Sequence, residues 1–144
     1  MCNINKKLSK DIKEISGYKV VFKDVYDESI RYRGVYSGAE VNIGSMEPKS
    51  NDINGFPYEP SEGPYNKNMI GRVSCFKSLL YAKLVYKRFD QHLYYPLPTR
   101  VPIILKITIK DGLMEGDAPG IISKTSKAVT YAGKKIVSLE EVKF

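Results

Sequence analysis

The 144-residue sequence is poor in the residues that build common catalytic and metal sites, with one histidine, two cysteines and no tryptophan. Because His92 is the single histidine and no CxxC pair is present, the usual zinc-ligand spacings are excluded. A Ser-His-acid triad would depend on that same histidine, and no nucleophile-elbow motif accompanies it. Glycine-rich phosphate loops are missing too, since Gly112, Gly116 and Gly120 precede no helical pattern. We therefore expect no metal ion and no cofactor.

Long apolar runs are absent as well, since no stretch approaches the run of about 18 apolar residues that spans a membrane. The charged residues 3–14 also lack the apolar core of a signal peptide. We therefore expect a cytoplasmic protein, in the host cytoplasm if it is viral, with no membrane partner. Few cysteines suit a reducing compartment, and Cys75 is predicted to be a small buried hydrophobic residue rather than a nucleophile.

The net charge of +7 is distributed unevenly along the chain. Residues 1–72 carry 11 Lys+Arg against 10 Asp+Glu, whereas residues 73–144 carry 12 against 6. A basic C-terminal half favours an acidic partner, either nucleic acid or an acidic protein surface, although a merely solvated lysine-rich surface is an alternative. Lysine outnumbers arginine 18 to 5, and arginine is the preferred residue for bidentate phosphate contacts. This ratio weakens the argument for nucleic acid.

Residues 71–110 predict the unit around which the fold is built. Apolar side chains recur there at the spacing of a helix with one buried face, which predicts a helix over about residues 78–89 with Ser78 as its N-cap. The apolar positions are Leu79, Ala82, Val85, Tyr86 and Phe89. Residues 101–109 are dense in β-branched side chains and predict a long strand with one buried face.

The remaining pattern predicts a short N-terminal helix and several strands. Residues 5–16 place Leu8, Ile12 and Ile15 at helical spacing, and Gly17 would end that helix. The predicted strands cover residues 19–25, 30–36, 40–43, 127–131 and 135–139. We expect the first two to form one hairpin and the last two to form another.

These elements predict a single α+β domain over residues 1–144, with a strand-rich antiparallel sheet packed by one main helix. Residues 44–68 contain four prolines and show no helix or strand period, so they are predicted to be a long irregular insertion loop. Residues 111–120 are rich in turn-forming residues and are predicted to be a turn segment.

The order of elements resembles the ADP-ribosyltransferase fold. Arg33 and Gly34 on an early strand, and Ser74 on a strand that leads into the helix containing Ala82, are similar to two short motifs of that family. The resemblance implies an NAD-dependent enzyme in which Arg33 and Ser74 position the dinucleotide. Where the Glu-x-Glu motif of the family would stand, this chain has the sequence KTSK at residues 124–127. Under this alternative Glu140 would act as the displaced glutamate.

Binding candidates are cations and tyrosines that lie near one another in the sequence or on one face of a strand. They are Arg31, Arg33, Lys87, Arg88, Tyr94, Tyr95, Arg100, Lys124, Lys127, Lys134 and Lys135. For each group, a solvated surface is the alternative interpretation.

We interpret the chain as a non-enzymatic binding or inhibitory module that occludes a nucleic-acid-handling complex or binds nucleic acid. A small basic body without a catalytic constellation resembles the anti-defence proteins of phages, such as the anti-CRISPR proteins. The transferase is one alternative, and a structural component of a larger particle, with residues 44–68 as an assembly arm, is another.

Overall fold

The computed structural model describes residues 3–26, 28–35, 40–45, 71–91, 100–119 and 127–143. These residues form nine strands and one helix, which confirms the α+β class. The elements are β1 (Asn3–Lys7), β2 (Glu14–Tyr26), β3 (Ser29–Gly34), β4 (Gly44–Ser45), β5 (Val73–Phe76), α1 (Leu79–Gln91), β6 (Arg100–Lys110), β7 (Met114–Pro119), β8 (Lys127–Gly133) and β9 (Lys135–Glu141). Within the part of the chain that the structure describes, no helix is long and apolar enough to cross a membrane.

Strand β2 lies at the centre of one antiparallel sheet with the order β1-β7-β8-β5-β2-β6-β9-β4, and β3 pairs with β2 in addition. One edge of β2 pairs with β6 over its length, from Glu14 opposite Lys110 to Asp24 opposite Arg100. It also pairs with β5 near Tyr18, and with β3 as the predicted hairpin. The long β2–β6 ladder therefore fixes which side chains meet at each end of the sheet.

The sheet curls so that one face of β6 forms the main core. Leu105, Ile107 and Ile109 are fully buried, whereas Ile104 points to the other face. The core cluster combines strands from distant parts of the sheet order, and its members are Val21, Val41, Val73, Cys75, Leu105, Ile107, Ile109, Tyr131 and Ile136. Burial of Cys75 confirms its prediction as a small hydrophobic residue.

Helix α1 covers the outer face of the sheet. Ala82 and Val85 are fully buried and belong to the same cluster as Val20 and Ile104. The Leu80 amide donates to Ser78 Oγ at 3.1 Å, as expected of an N-cap. The predicted helix and its buried face are confirmed, and the helix ends two residues later than expected.

The predicted N-terminal helix is wrong, because residues 5–16 contain the end of β1, a turn and the start of β2. The apolar residues that suggested a helical stripe have different environments, because Ile15 lies opposite Ile109 in the sheet, whereas Ile12 is exposed. Gly17 does not end a helix but lies inside β2, where a Cβ would approach Cys75 Sγ to 2.5 Å. Gly17 is therefore required for the close approach of β5 to β2.

The last two strands exist as predicted but do not form a hairpin. Strand β8 pairs with β5 and β7, and β9 pairs with β6 and β4. Lys134 is the single residue between them, so the chain passes there from one part of the curled sheet to another. A strand was also missed, because residues 114–119 of the predicted turn segment form β7. Most of the predicted loop, residues 46–68, lies outside the described residues.

Candidate functional site

Three arginines meet at one end of the sheet, around a carboxylate in the middle strand. Asp24 on β2 lies directly opposite Arg31 on β3 and directly opposite Arg100 on β6. Arg33 lies two residues along from Arg31 and therefore on the same face of β3. Two distant parts of the chain thus contribute guanidinium groups to one place.

The carboxylate of Asp24 is only 2 % exposed and is held by two of these arginines. Arg100 contacts both carboxylate oxygens, with Nε 2.6 Å from Oδ1 and Nη2 3.1 Å from Oδ2. Arg33 Nε lies 3.3 Å from Oδ2. A two-point contact of this kind fixes the plane of the guanidinium as well as its position. The side chains of Arg33 and Arg100 are partly exposed, at 32 % and 36 %.

A second carboxylate extends the network toward solvent. Glu40 Oε1 lies 3.5 Å from Arg33 Nη2 and 3.6 Å from Arg31 Nη1, and a β-bridge joins Arg33 to Glu40. The Arg31 side chain is 59 % exposed. Three guanidinium groups therefore share two carboxylates, which leaves a local excess of one positive charge.

Aromatic packing brings the end of α1 to the same place. The Phe89 ring in the last turn of α1 meets the Phe22 ring edge to face, with centroids 5.7 Å apart. Arg100 Cζ lies 5.7 Å from the centroid of Phe22, within the range of a cation–π contact. Lys87 and Arg88 precede Phe89 directly and are exposed. We call Phe22, Arg31, Arg33, Phe89 and Arg100 the arginine surface, and Lys87 and Arg88 are its neighbours in sequence on α1.

Comparison of the chain with protein-family models, with curated proteins and with solved structures gives no significant match. Any function must therefore be inferred from the residues of the chain itself. The most informative fact about them is that three of the five arginines in the sequence meet on the arginine surface, and that a fourth, Arg88, directly precedes Phe89.

The residues named for the transferase alternative are not brought together as a single site. Arg33 lies opposite Phe22, whereas Glu140 lies opposite Lys106, which is itself opposite Tyr18. Four residues along the strands and three strands across the sheet separate them, which amounts to about 19 Å between backbones. Ser74 lies on β5, and its carbonyl oxygen accepts a hydrogen bond from Lys19 Nζ at 3.0 Å.

Glu140 instead lines an open pocket of about 550 Å³ near the start of α1. The residues lining the pocket are Tyr18, Leu79, Lys106, Glu140, Glu141, Val142 and Lys143. In the described part of the chain, no group of three or more His, Cys, Asp and Glu side chains is arranged to hold a metal ion.

Glu141 anchors a separate polar cluster. Lys23 Nζ donates to both Glu141 carboxylate oxygens at 3.0 Å, and the Tyr32 hydroxyl donates to Oε2 at 2.8 Å. The hydrogen bond from Lys23 is the main cause that lowers the pKa of Glu141, and the bond from Tyr32 adds to it. Burial, followed by the bond to Glu141, raises the pKa of Tyr32 to about 12. The cluster joins β2, β3 and β9.

The other predicted binding residues lie away from the arginine surface or outside the residues that the structure describes. Lys134 and Lys135 lie near the opposite end of β6, where Lys135 Nζ is 3.4 Å from Asp111 Oδ2. Lys127 begins β8. The candidates outside the described residues are Tyr94, Tyr95 and Lys124, and His92 lies outside them too.

Asp24 was not among the residues predicted from the sequence, although the sequence contains a signal for it. Asp24 follows two valines and a phenylalanine in the segment KVVFKDV, which was correctly predicted to be a strand. An acidic side chain on the buried face of a strand needs a cationic partner. That requirement could have directed attention to Arg31 and Arg33 on the next strand, but not to Arg100, whose position depends on the sheet order.

Proposed function

We propose that the protein is a non-enzymatic binding module whose arginine surface contacts the negatively charged groups of a partner, and that the partner is nucleic acid. The observation that supports this proposal is the segregation of arginine. Lysine is more than three times as abundant as arginine in the sequence, yet three of the five arginines meet on this one surface.

Guanidinium groups suit phosphate because their planar donors can form two parallel hydrogen bonds to it. On this surface Asp24 and Glu40 orient the guanidinium groups before any ligand arrives, and they leave one positive charge in excess. Orientation in advance reduces the side-chain entropy that would otherwise be lost on binding. Arg31 is the most exposed of these arginines, and Arg88 is exposed and next to Phe89 in the sequence, so these two would make the first contacts.

Binding alone can give an inhibitory function. A protein of 16.3 kDa that covers a nucleic acid, or the part of a complex that handles it, blocks access without any chemical step. Such a protein acts stoichiometrically, so its effect should saturate at one molecule per site. This expectation separates the proposed module from an enzyme, which acts at substoichiometric concentration.

The proposal is tested by fluorescence anisotropy with labelled single-stranded DNA, duplex DNA and RNA. The wild type should bind at least one of them, and its affinity should fall steeply between about 50 and about 200 mM salt. Arg31→Gln combined with Arg88→Gln should weaken binding and reduce the slope of log affinity against log salt by about 2. Neither change removes an ion pair to Asp24, so the fold should persist.

A matched control removes two charges from the other end of β2. Lys10→Gln combined with Lys13→Gln changes two exposed lysines in the turn before Glu14, which begins β2 about 33 Å from Asp24 along the strand. The control should leave affinity and salt slope nearly unchanged. Equal losses in both double variants would indicate a diffuse charge effect rather than a surface. Absence of binding to all three nucleic acids would exclude the nucleic-acid partner and leave an acidic protein surface.

The transferase alternative has its own test. Labelled NAD and a cell lysate should give no label transfer with the wild-type protein, because Arg33 and Glu140 lie far apart. Transfer that is lost in both Arg33→Ala and Glu140→Ala would favour the alternative over the binding module.

A further inference from the structure

A second cationic cluster lies at the end of β6 that is distant from the arginine surface. Arg100 and Lys110 are ten positions apart along β6, which corresponds to about 33 Å. The far cluster consists of Arg72, Lys110, Lys134 and Lys135, which gather around the turn at Asp111 and Gly112.

The far cluster contains an unfavourable arrangement of like charges. Lys110 on β6 and Lys135 on β9 are direct cross-strand partners, and like charges at such positions destabilise a sheet. Two carboxylates compensate in part: Glu14 lies opposite Lys110 on the other side, and Asp111 lies 3.4 Å from Lys135. Four cations against two carboxylates leave an excess of two positive charges. Natural sequences tolerate such local conflicts mainly where function requires them.

The turn between β6 and β7 holds the cationic side chains close together. Asp111 and Gly112 have φ angles of 63° and 58°, in the left-handed region. A Cβ at Gly112 would lie 3.0 Å from Lys134 Cε and 3.1 Å from Arg72 Nη2, so glycine allows both side chains to approach. Arg72 Nε donates to the Gly112 carbonyl at 2.9 Å, which fixes its guanidinium at the turn. Burial lowers the pKa of Arg72, as expected of a partly desolvated cation.

We propose that the far cluster is a binding site for a phosphate group. The excess of two charges matches a phosphate, which carries about −1.5 to −2 at neutral pH. A fixed guanidinium beside three ammonium groups provides the donors that a phosphate with several acceptor oxygens requires. A bound phosphate would also relieve the repulsion between Lys110 and Lys135. The site does not depend on the proposed function, since it lies at the other end of the molecule.

The test is an NMR titration of the full chain with inorganic phosphate, compared with sodium chloride at matched ionic strength. Backbone amides at Gly112, Lys134 and Lys135 should shift in a saturable manner with phosphate and not with chloride. Lys110→Thr should weaken phosphate affinity about tenfold or more, because it removes one of four cations. The same change should not lower thermal stability, since it removes the like-charge contact and threonine is a good strand residue.

Lys106→Thr is the matched control, because Lys106 lies on the same strand and face, four residues or about 13 Å away. This control should change phosphate affinity less than twofold. A parallel titration with an eight-nucleotide DNA identifies the source of the phosphate. Much tighter binding at the same amides assigns the site to a nucleic-acid backbone, and equal binding assigns it to a small phosphorylated molecule. Absence of saturable shifts with both ligands, or equal losses in the two variants, would overturn the proposal.

Discussion

Replacement of Asp24 by asparagine is the most direct perturbation of the arginine surface. The change keeps the shape of the side chain and removes the charge that two guanidinium groups share. Arg100 and Arg33 would then face each other across a neutral amide, and the amide nitrogen would point a donor at one of them. We expect the variant to fold with reduced stability. We also expect it to bind anions more tightly than the wild type, because removal of a competing negative charge outweighs the loss of orientation that Asp24 provides.

The loss of stability can be worked out from the burial of the three side chains. Loss of one partner from a buried ion pair costs about 3–5 kcal/mol. Water reaches Arg33 and Arg100, whose side chains are about a third exposed, and this hydration relieves part of the penalty. We therefore expect Asp24→Asn to lower the free energy of unfolding by about 2–3 kcal/mol. For a domain of this size that corresponds to a melting temperature about 10 °C lower.

Urea unfolding followed by circular dichroism measures the change, and Asp111→Asn provides the control. Asp111 pairs with Lys135 at 3.4 Å, but its side chain is more than half exposed, so its loss should cost less than about 1 kcal/mol. The double variant Asp24→Asn with Arg100→Gln should recover part of the loss, since the two positions interact. A cost for Asp24→Asn that does not exceed the cost of the control would refute the reasoning.

Three further changes test other contacts. Hydrogen bonding, led by Lys23, lowers the pKa of Glu141 and so stabilises the fold while Glu141 is ionised; the wild type should therefore lose stability as the pH falls below about 4.3. In urea unfolding between pH 3 and pH 6, Glu141→Gln should make the free energy of unfolding depend less on pH. The pKa of Tyr32 is raised to about 12, so the wild type should lose stability as the pH rises from about 10 to 12, and Tyr32→Phe should remove that loss. Gly17→Ala should cost about 1–3 kcal/mol in chemical denaturation, because its Cβ would lie 2.5 Å from Cys75 Sγ; a neutral effect would show that β5 can shift.

Local periodicity was sufficient to predict the helix and the long strand. The apolar stripe from Leu79 to Phe89 requires a helix, because no other backbone geometry places those residues on one face. The alternation in β6 likewise required a strand, and the structure buries Leu105, Ile107 and Ile109 together. In both segments the pattern extends over nine residues or more, so chance matches are rare.

Shorter patterns failed where a distant partner decides the structure. Leu8, Ile12 and Ile15 fit a helix by spacing, but β7 and β6 provide strand partners on either side of a turn, and pairing with them replaced the helix. The hairpin of β8 and β9 failed for a related reason. Both strands alternate correctly, yet the core determines which neighbours they pair with, and alternation carries no information about neighbours.

Residues of the site were predicted one by one, but the sequence did not indicate that they lie together in the fold. Arg31, Arg33 and Arg100 were each recognised as candidates, but 67 residues separate the second from the third. Their meeting depends on β2 lying between β3 and β6, which is a property of the sheet order. Most of the net positive charge belongs to residues 73–144, whereas the arginine surface combines residues from both halves of the sequence. The net charge of one half of the sequence therefore does not predict which face of the folded protein is basic.

Stability and binding compete for the same guanidinium groups on the arginine surface. Arg33 and Arg100 hold a buried carboxylate, so an anionic ligand that contacts them must share them with Asp24. Replacement of either arginine would weaken binding and destabilise the fold together, and the two effects could not be separated. Arg31 and Arg88 form no ion pair with Asp24, so loss of binding in their double variant is separate from loss of the buried ion pairs. If Asp24→Asn binds more tightly while it unfolds more easily, the carboxylate holds these arginines in place at the expense of affinity.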